Sequence, residues 1–216
     1  MKSFNPALPS FREYKKKIYQ QIIKTGEFVY QIGELDDLHR KSKQVPINKI
    51  KTKEFRAKVN YLKKCLLKYR RITGKGRGIS AVQVGIHEGF FIIYMQEVKG
   101  KFLTIINPKI TKKSKKLLKY PEMCMSAVPI TAEVVRPAWI EFKYYDEKGI
   151  KRFWKTKDTN KNNRIYNRVF QHEIDHINGI INIDRVDSKE LIFQLDPKFY
   201  GKAEFEEVRE VKAPIF

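Results

Sequence analysis

Residues 169–179 read "VFQHEIDHING", and the fold turns on whether this stretch is a helix that presents its two histidines to one ion. His172 and His176 stand four apart, a spacing that on a helix puts both side chains on one face, one turn from each other. Glu173 follows the first histidine and points about 100° round the helix axis. From there its carboxylate can reach a water on a shared ion without itself being a ligand. This is the H-E-x-x-H arrangement of metal hydrolases, in which the glutamate takes the proton of the attacking water. The bland alternative is two polar residues exposed by chance. Against it, the histidines continue the apolar stripe of Ile165 and Val169, and core-facing imidazoles without a partner are costly to bury. Asn178-Gly179 closes the helix.

Two histidines leave a catalytic site one protein ligand short. Cys124, Glu122, Asp184 and Asp187 are the candidates. No H-x-x-G-x-x-H continuation lies downstream. Upstream, "YPEMCMSAVP" (120–129) places Cys124 in a short extended piece between Pro121 and Pro129. A thiolate with two imidazoles suits iron or zinc; taken alone, Cys124 reads sooner as a small buried hydrophobe.

Outward from the motif, the chain alternates recognisable elements and shows no internal repeat. Ser10 to Glu13 has capping-box form, and Ile18, Tyr19, Ile22 and Ile23 follow at helical spacing before Thr25-Gly26. Between Lys53 and Arg71, Phe55, Val59, Leu62, Leu66 and Tyr69 repeat as one buried helical stripe. "GKGRG" (74–78) breaks that helix. "GFFIIYM" (89–95) and "FLTIINP" (102–108) read as short strands, and "WIEFKYYDEKGIKRFW" (139–154) as a hairpin turning at Asp146–Gly149. "DTNKNNR" (158–164) reads as a polar connection into the motif helix. A helix, several strands and a late helix make the class α+β.

The 216 residues suit one domain with room for extensions. No apolar run approaches the ~20 residues of a membrane span, and "MKSFNPALPSFREYKKK" lacks the apolar centre of a secretory signal. The expectation is therefore an intracellular protein with no membrane contact, whose two cysteines, Cys65 and Cys124, are free thiols or metal ligands. Charge is the one anomaly: 45 Lys and Arg against 24 acids leave +21. Such a surplus keeps a protein soluble and draws it towards polyanions such as the ribosome. No RNA-recognition signature makes nucleic-acid binding the primary function.

Three ordered segments together resemble the signatures of peptide deformylase. "GRGISAVQ" (76–83) resembles that family's glycine-framed loop ending in glutamine, and "EMCMS" (122–126) its glutamate-glycine-cysteine-leucine-serine strand. "QHEIDH" (171–176) matches its motif helix in full, and "IINPKI" and "EVVRP" flank the second segment as in the family. The resemblance runs from about Gln31 to Val186, so the expected organisation is an extension over 1–29, a catalytic domain over 30–187 and an extension over 188–216. It implies small antiparallel or mixed β-sheets packed around a central metal-binding helix, with N-terminal helices. It also implies removal of the formyl group from N-formylmethionyl chains as they are made, in the bacterial cytoplasm or in an organelle of a eukaryote.

Carried over residue by residue, the resemblance makes Cys124, His172 and His176 the ligands of one divalent ion, ferrous iron, with zinc, nickel or cobalt able to substitute. Glu173 becomes general base and then acid, while the Gln83 side chain and the Met125 backbone N–H stabilise the oxyanion. Gly76, Arg77, Gly78 and Val169 fall to substrate binding, and Glu122 pairs with Arg136 as a brace. The ribosome is the implied transient partner; oligomeric state is open.

The chain departs from the pattern at Arg77, where the family carries an aliphatic residue, at Met123 for glycine, at Met125 for leucine, at Ser80 for alanine, and at Pro129, one place late. Arg77 either enters the substrate pocket or swings to its rim with its head in water, and the rim is the cheaper site for an unpaired charge. Two other classes stay in view. One is a different H-E-x-x-H metallohydrolase, which would need neither Gln83 nor a cysteine ligand. The other is a ribosome-associated relative that has lost turnover or changed specificity.

Overall fold

The structure, a computed structural model, describes residues 10–97 and 100–194 and the backbone of 209–211. Of the two expected extensions, residues 1–9, 195–208 and 212–216 lie outside the described residues.

Helix α1 spans Phe11–Gly26 and starts as its sequence predicts, with Ser10 and Glu13 exchanging cap hydrogen bonds. A short helix, α2, follows at Leu35–Leu38. Helix α3 (Lys53–Thr73) is capped by Thr52, buries Phe55, Val59, Leu62, Leu66 and Tyr69 as expected, and stops at Gly74 with φ 74°. The expected stripe of α1 is only half realised. Ile18 and Ile22 are half-buried, but Tyr19 and Ile23 are 53% and 69% exposed. Periodicity announces an apolar face; it does not supply the surface that covers it.

Five strands form one antiparallel sheet in the order β1 (Gly78–Ser80), β2 (Phe90–Met95), β3 (Lys101–Lys113), β6 (Ile140–Tyr145) and β7 (Lys151–Lys155). A second antiparallel sheet carries β8 (Leu191–Phe193), β5 (Ile130–Pro137), β4 (Leu117–Met123) and β9 (Arg209–Val211). The second strand predicted, 102–108, extends into "KITKK", where it pairs with β6 through two register shifts. Those lysines are exposed, so their polar run conceals the second half of a central strand. The β6–β7 hairpin turns as predicted: Asp146 accepts hydrogen bonds from Lys148 and Ile150, and Gly149 has φ 70°.

Helix α4 (Lys161–Ile177) begins within the segment expected to be a connection. Asn160 caps it by accepting the Asn163 N–H at 2.9 Å. Asparagine is a weak helix former but a strong N-cap, so an Asn-rich run hides a helix start. The most buried apolar side of α4 is Tyr166, Phe170 and Ile174, while Ile165 and Val169 are only half-buried. The helix thus sits rotated from the stripe read in the sequence.

The five-stranded sheet lies between α3 and α4. Phe90 and Ile92 join the α3 residues in one buried cluster, whereas Phe91 and Ile93 join Tyr166, Phe170 and Ile174 of α4 in another. Successive residues of β2 face opposite sides, which is why "FFII" is apolar without alternation. The architecture is the expected α+β one, with antiparallel sheets around a central motif helix. Among the described residues no helix is long and apolar enough to cross a membrane.

Candidate metal centre

Helix α4 brings His172 and His176 into contact with Cys124, which follows the last residue of β4. One ligand atom from each of the three residues lies within 4.8 Å of the other two. The two imidazole rings are 4.9 Å apart at 80°, and Cys124 Sγ is 3.2 Å from His176 Nε2. Glu122, one residue before the β4 end, accepts at 3.1 Å from His172 Nδ1, which leaves the Nε2 lone pair of that ring for an ion. The other two candidate ligands are not brought in. Asp184 pairs with His39 at 3.1 Å, and Asp187 caps the turn at Ser188–Glu190.

A buried ion network fixes this geometry. Arg136 on β5 donates Nε to Glu122 Oε1 at 2.6 Å and a second N–H to Glu122 Oε2 at 2.9 Å. Its third bond, at 2.8 Å, goes to Asp175 on α4, and Arg185 closes on the same carboxylate. Glu122 and Arg136 are thus paired, and the same guanidinium links β5 to Asp175 of α4. Burial alone would raise the Glu122 carboxyl, but Arg136 and His172 outweigh it and hold Glu122 well below the usual carboxylate range. On His172, burial opposes charge, yet the Cys124 sulfur and Glu122 prevail and raise its proton affinity well above normal. His176 moves the other way, pushed well down by burial, His172 and Arg136.

A sulfur, two imidazoles and an adjacent carboxylate therefore create a demand for positive charge at one point. The donor set fits a divalent ion held by Cys124, His172 and His176 with the remaining position open. Both cysteines are free and buried; Cys65 sits in the α3 cluster, away from this centre.

Glu173 is buried beside these ligands, and burial pushes its carboxyl up to about 7, with His172 and the Ser80 hydroxyl pulling against the rise. Gly78 makes room for it: a Cβ there would collide with the Glu173 carboxylate and come within 2.9 Å of Ile93. Gly76 has φ 104°, and a Cβ would stand 3.0 Å from the Tyr69 ring. Gln83 lies in the 3-10 turn Ala81–Val84 after β1. Its Nε2 donates to Ser126 Oγ at 3.0 Å and lies 3.6 Å from Cys124 Sγ, while its Oε1 accepts from the Ser80 N–H at 2.9 Å. Met125 packs its side chain into the α3 cluster, and its carbonyl accepts from Gln31 at 3.3 Å.

Arg77 is half-buried and ion-paired rather than left with its head in water. Its guanidinium meets Glu97 at 3.2 Å and lies 5.7 Å from the Tyr166 ring, whose hydroxyl also binds Glu97. Val169 packs against the α4 cluster, and Met123 is 39% exposed. Ser80 appeared in the sequence only as an exchange for alanine, and Asp175, Arg185 and the neighbouring Arg168 were not singled out at all. Arg168, one turn before His172, stands 5.2 Å from the Tyr120 ring with no ion pair among the described residues. Only Asp175 carried a signal, since it lies inside the motif.

Residues 29–191 match the family model described as polypeptide deformylase. The chain belongs to that family. Among curated peptide deformylases, the one from Synechococcus sp. strain CC9605 is 39% identical over 116 residues, which is 53% of this chain and 55% of the relative. That from Prochlorococcus marinus strain MIT 9312 is 37% identical over 118 residues, 54% of this chain and 56% of the relative. The chain thus spans about half the length of these curated peptide deformylases. Solved structures align over more. A probable peptide deformylase of Synechococcus phage S-SSM7 superposes with a TM-score of 0.62 at 29% identity, covering 73% of this chain and 98% of the other. A plant peptide deformylase gives 0.64 at 28%, covering 76% and 82%.

Proposed function

We propose that the chain is a metal-dependent amidohydrolase that removes the formyl group from the N-terminal formylmethionine of newly made polypeptides. The observation that carries this reading is the meeting of Cys124, His172 and His176 with Glu173 beside them and Gln83 3.6 Å from the sulfur. A structure of the Synechococcus elongatus peptide deformylase contains actinonin, which supports a site of this family open to small molecules. The bound ion, for which we favour ferrous iron with zinc, nickel or cobalt as substitutes, would polarise the formyl oxygen and acidify the attacking water.

The chain's own groups then divide the work. Glu173 takes a proton from the water as its oxygen bonds to the formyl carbon. Its carboxyl sits near neutrality, which suits accepting a proton and later returning it to the leaving amine. Formate and the free amine are the products. Gln83 is pre-aimed: its carbonyl is tied to the Ser80 N–H, so its amide N–H bonds face the centre. With the Met125 N–H it donates to the oxygen that gains charge, in a site where such donors cost no reorganisation. Glu122 and Arg136 hold His172 and the helix in register.

A substrate pair tests the reading. Formyl-Met-Ala-Ser should yield formate at a rate that acetyl-Met-Ala-Ser does not approach; equal handling of both would point to another metallohydrolase. Because Arg77 is held by Glu97, Arg77→Ile should alter kcat/KM for the formyl peptide by less than ~10-fold. A gain of several hundred-fold would mean that the guanidinium blocks the pocket.

The ribosome is the proposed partner, in the cytoplasm of a bacterium or in an organelle. The net charge of +21 supports this, as does the outer strand β7, where Phe153 is 58% exposed between Lys151 and Lys155. Co-sedimentation with ribosomes should weaken steeply with salt, each phosphate contact adding about −0.9 to the log–log slope on duplex. No co-sedimentation at low salt would leave the lysines as solvated surface.

A further inference from the structure

The structure assigns Ser80 the role of positioning residue for the general base. This step rests on Glu173 being that base. Ser80 closes β1 and is fully buried. Its Oγ donates to Glu173 Oε2 at 2.8 Å and lies 3.0 Å from the Glu173 carbonyl. One hydroxyl proton serves one acceptor at a time. The carbonyl sits inside α4, where a helical N–H already engages it, whereas a carboxylate makes the stronger, charge-assisted bond. The hydroxyl is therefore aimed at the carboxylate.

On its other side the carboxylate fills the space left by the missing Cβ of Gly78. Gly78 and Ser80 thus act together: the glycine leaves the space that Glu173 Oε1 fills, and the serine bonds Oε2, so the rotation of the carboxylate is fixed from both sides. The same residue's N–H orients Gln83. One strand end therefore sets both the proton acceptor and the oxyanion donor. Only the hydroxyl half depends on residue type, because a backbone N–H survives most substitutions.

The test compares wild type, Ser80→Ala and Ser80→Cys, each normalised to bound metal, on formyl-Met-Ala-Ser. Ser80→Ala should lower kcat about tenfold with KM and metal content unchanged. Ser80→Cys keeps a weak donor of similar size and should fall between the two. Unfolding temperature reports any separate structural effect. An unchanged kcat in Ser80→Ala, or a loss that tracks metal content or KM instead of kcat, would overturn the positioning role while leaving the deformylase reading intact. If wild type itself releases no formate, both fall together.

Discussion

Glu173→Gln should retain its metal and its fold and lose at least ~10²-fold in kcat/KM, about 2.7 kcal/mol of barrier. The substitution keeps size, and its amide oxygen can still accept from Ser80 Oγ, now 2.8 Å from Oε2. What it removes is the capacity to take a proton. The buried position makes the comparison clean, because a neutral amide suits that environment better than a charge does. Loss of activity therefore cannot be charged to instability. Turnover close to wild type on formyl-Met-Ala-Ser would remove Glu173 from the mechanism.

Cys124→Ser should weaken metal affinity by at least ~10²-fold. A hydroxyl replaces a soft sulfur ligand and stays protonated at neutral pH. The surrounding donors would persist, since the Ser126 N–H at 3.4 Å and Gln83 Nε2 at 3.6 Å can both bond an oxygen. The fold should therefore survive while metal content after dialysis collapses and activity follows it. Elemental analysis that finds wild-type metal in the variant would show that the ligand set is wrong.

The division between what could and could not be read from the chain follows contact distance. His172, Glu173 and His176 were legible because a helix converts their spacing into shared direction. Asp175 lies in the same motif, but its use as an anchor for Arg136 and Arg185 depends on elements 39 and 10 residues away. Cys124 and the Glu122–Arg136 brace came from likeness to a family, since no local pattern links residue 124 to residue 176. Ser80 read only as a departure from the family pattern, because its partner is 93 residues distant. Gly78 was assigned to substrate approach, and the structure gives it a nearer task, clearing space for Glu173. At the helices, caps and stripes were right in kind. They failed where burial by another element decides, as at Tyr19 and Ile23, or where a capping residue passes for a loop residue, as at Asn160.

The most direct test of the metal-centred account is a titration of activity with metal. Protein stripped by chelator under anaerobic conditions should release almost no formate from formyl-Met-Ala-Ser. Adding ferrous iron should restore turnover linearly up to a break at one equivalent per chain, and Cys124→Ser should show no such break. Full turnover by the stripped protein, or a break at some other stoichiometry, would contradict a single centre built from Cys124, His172 and His176.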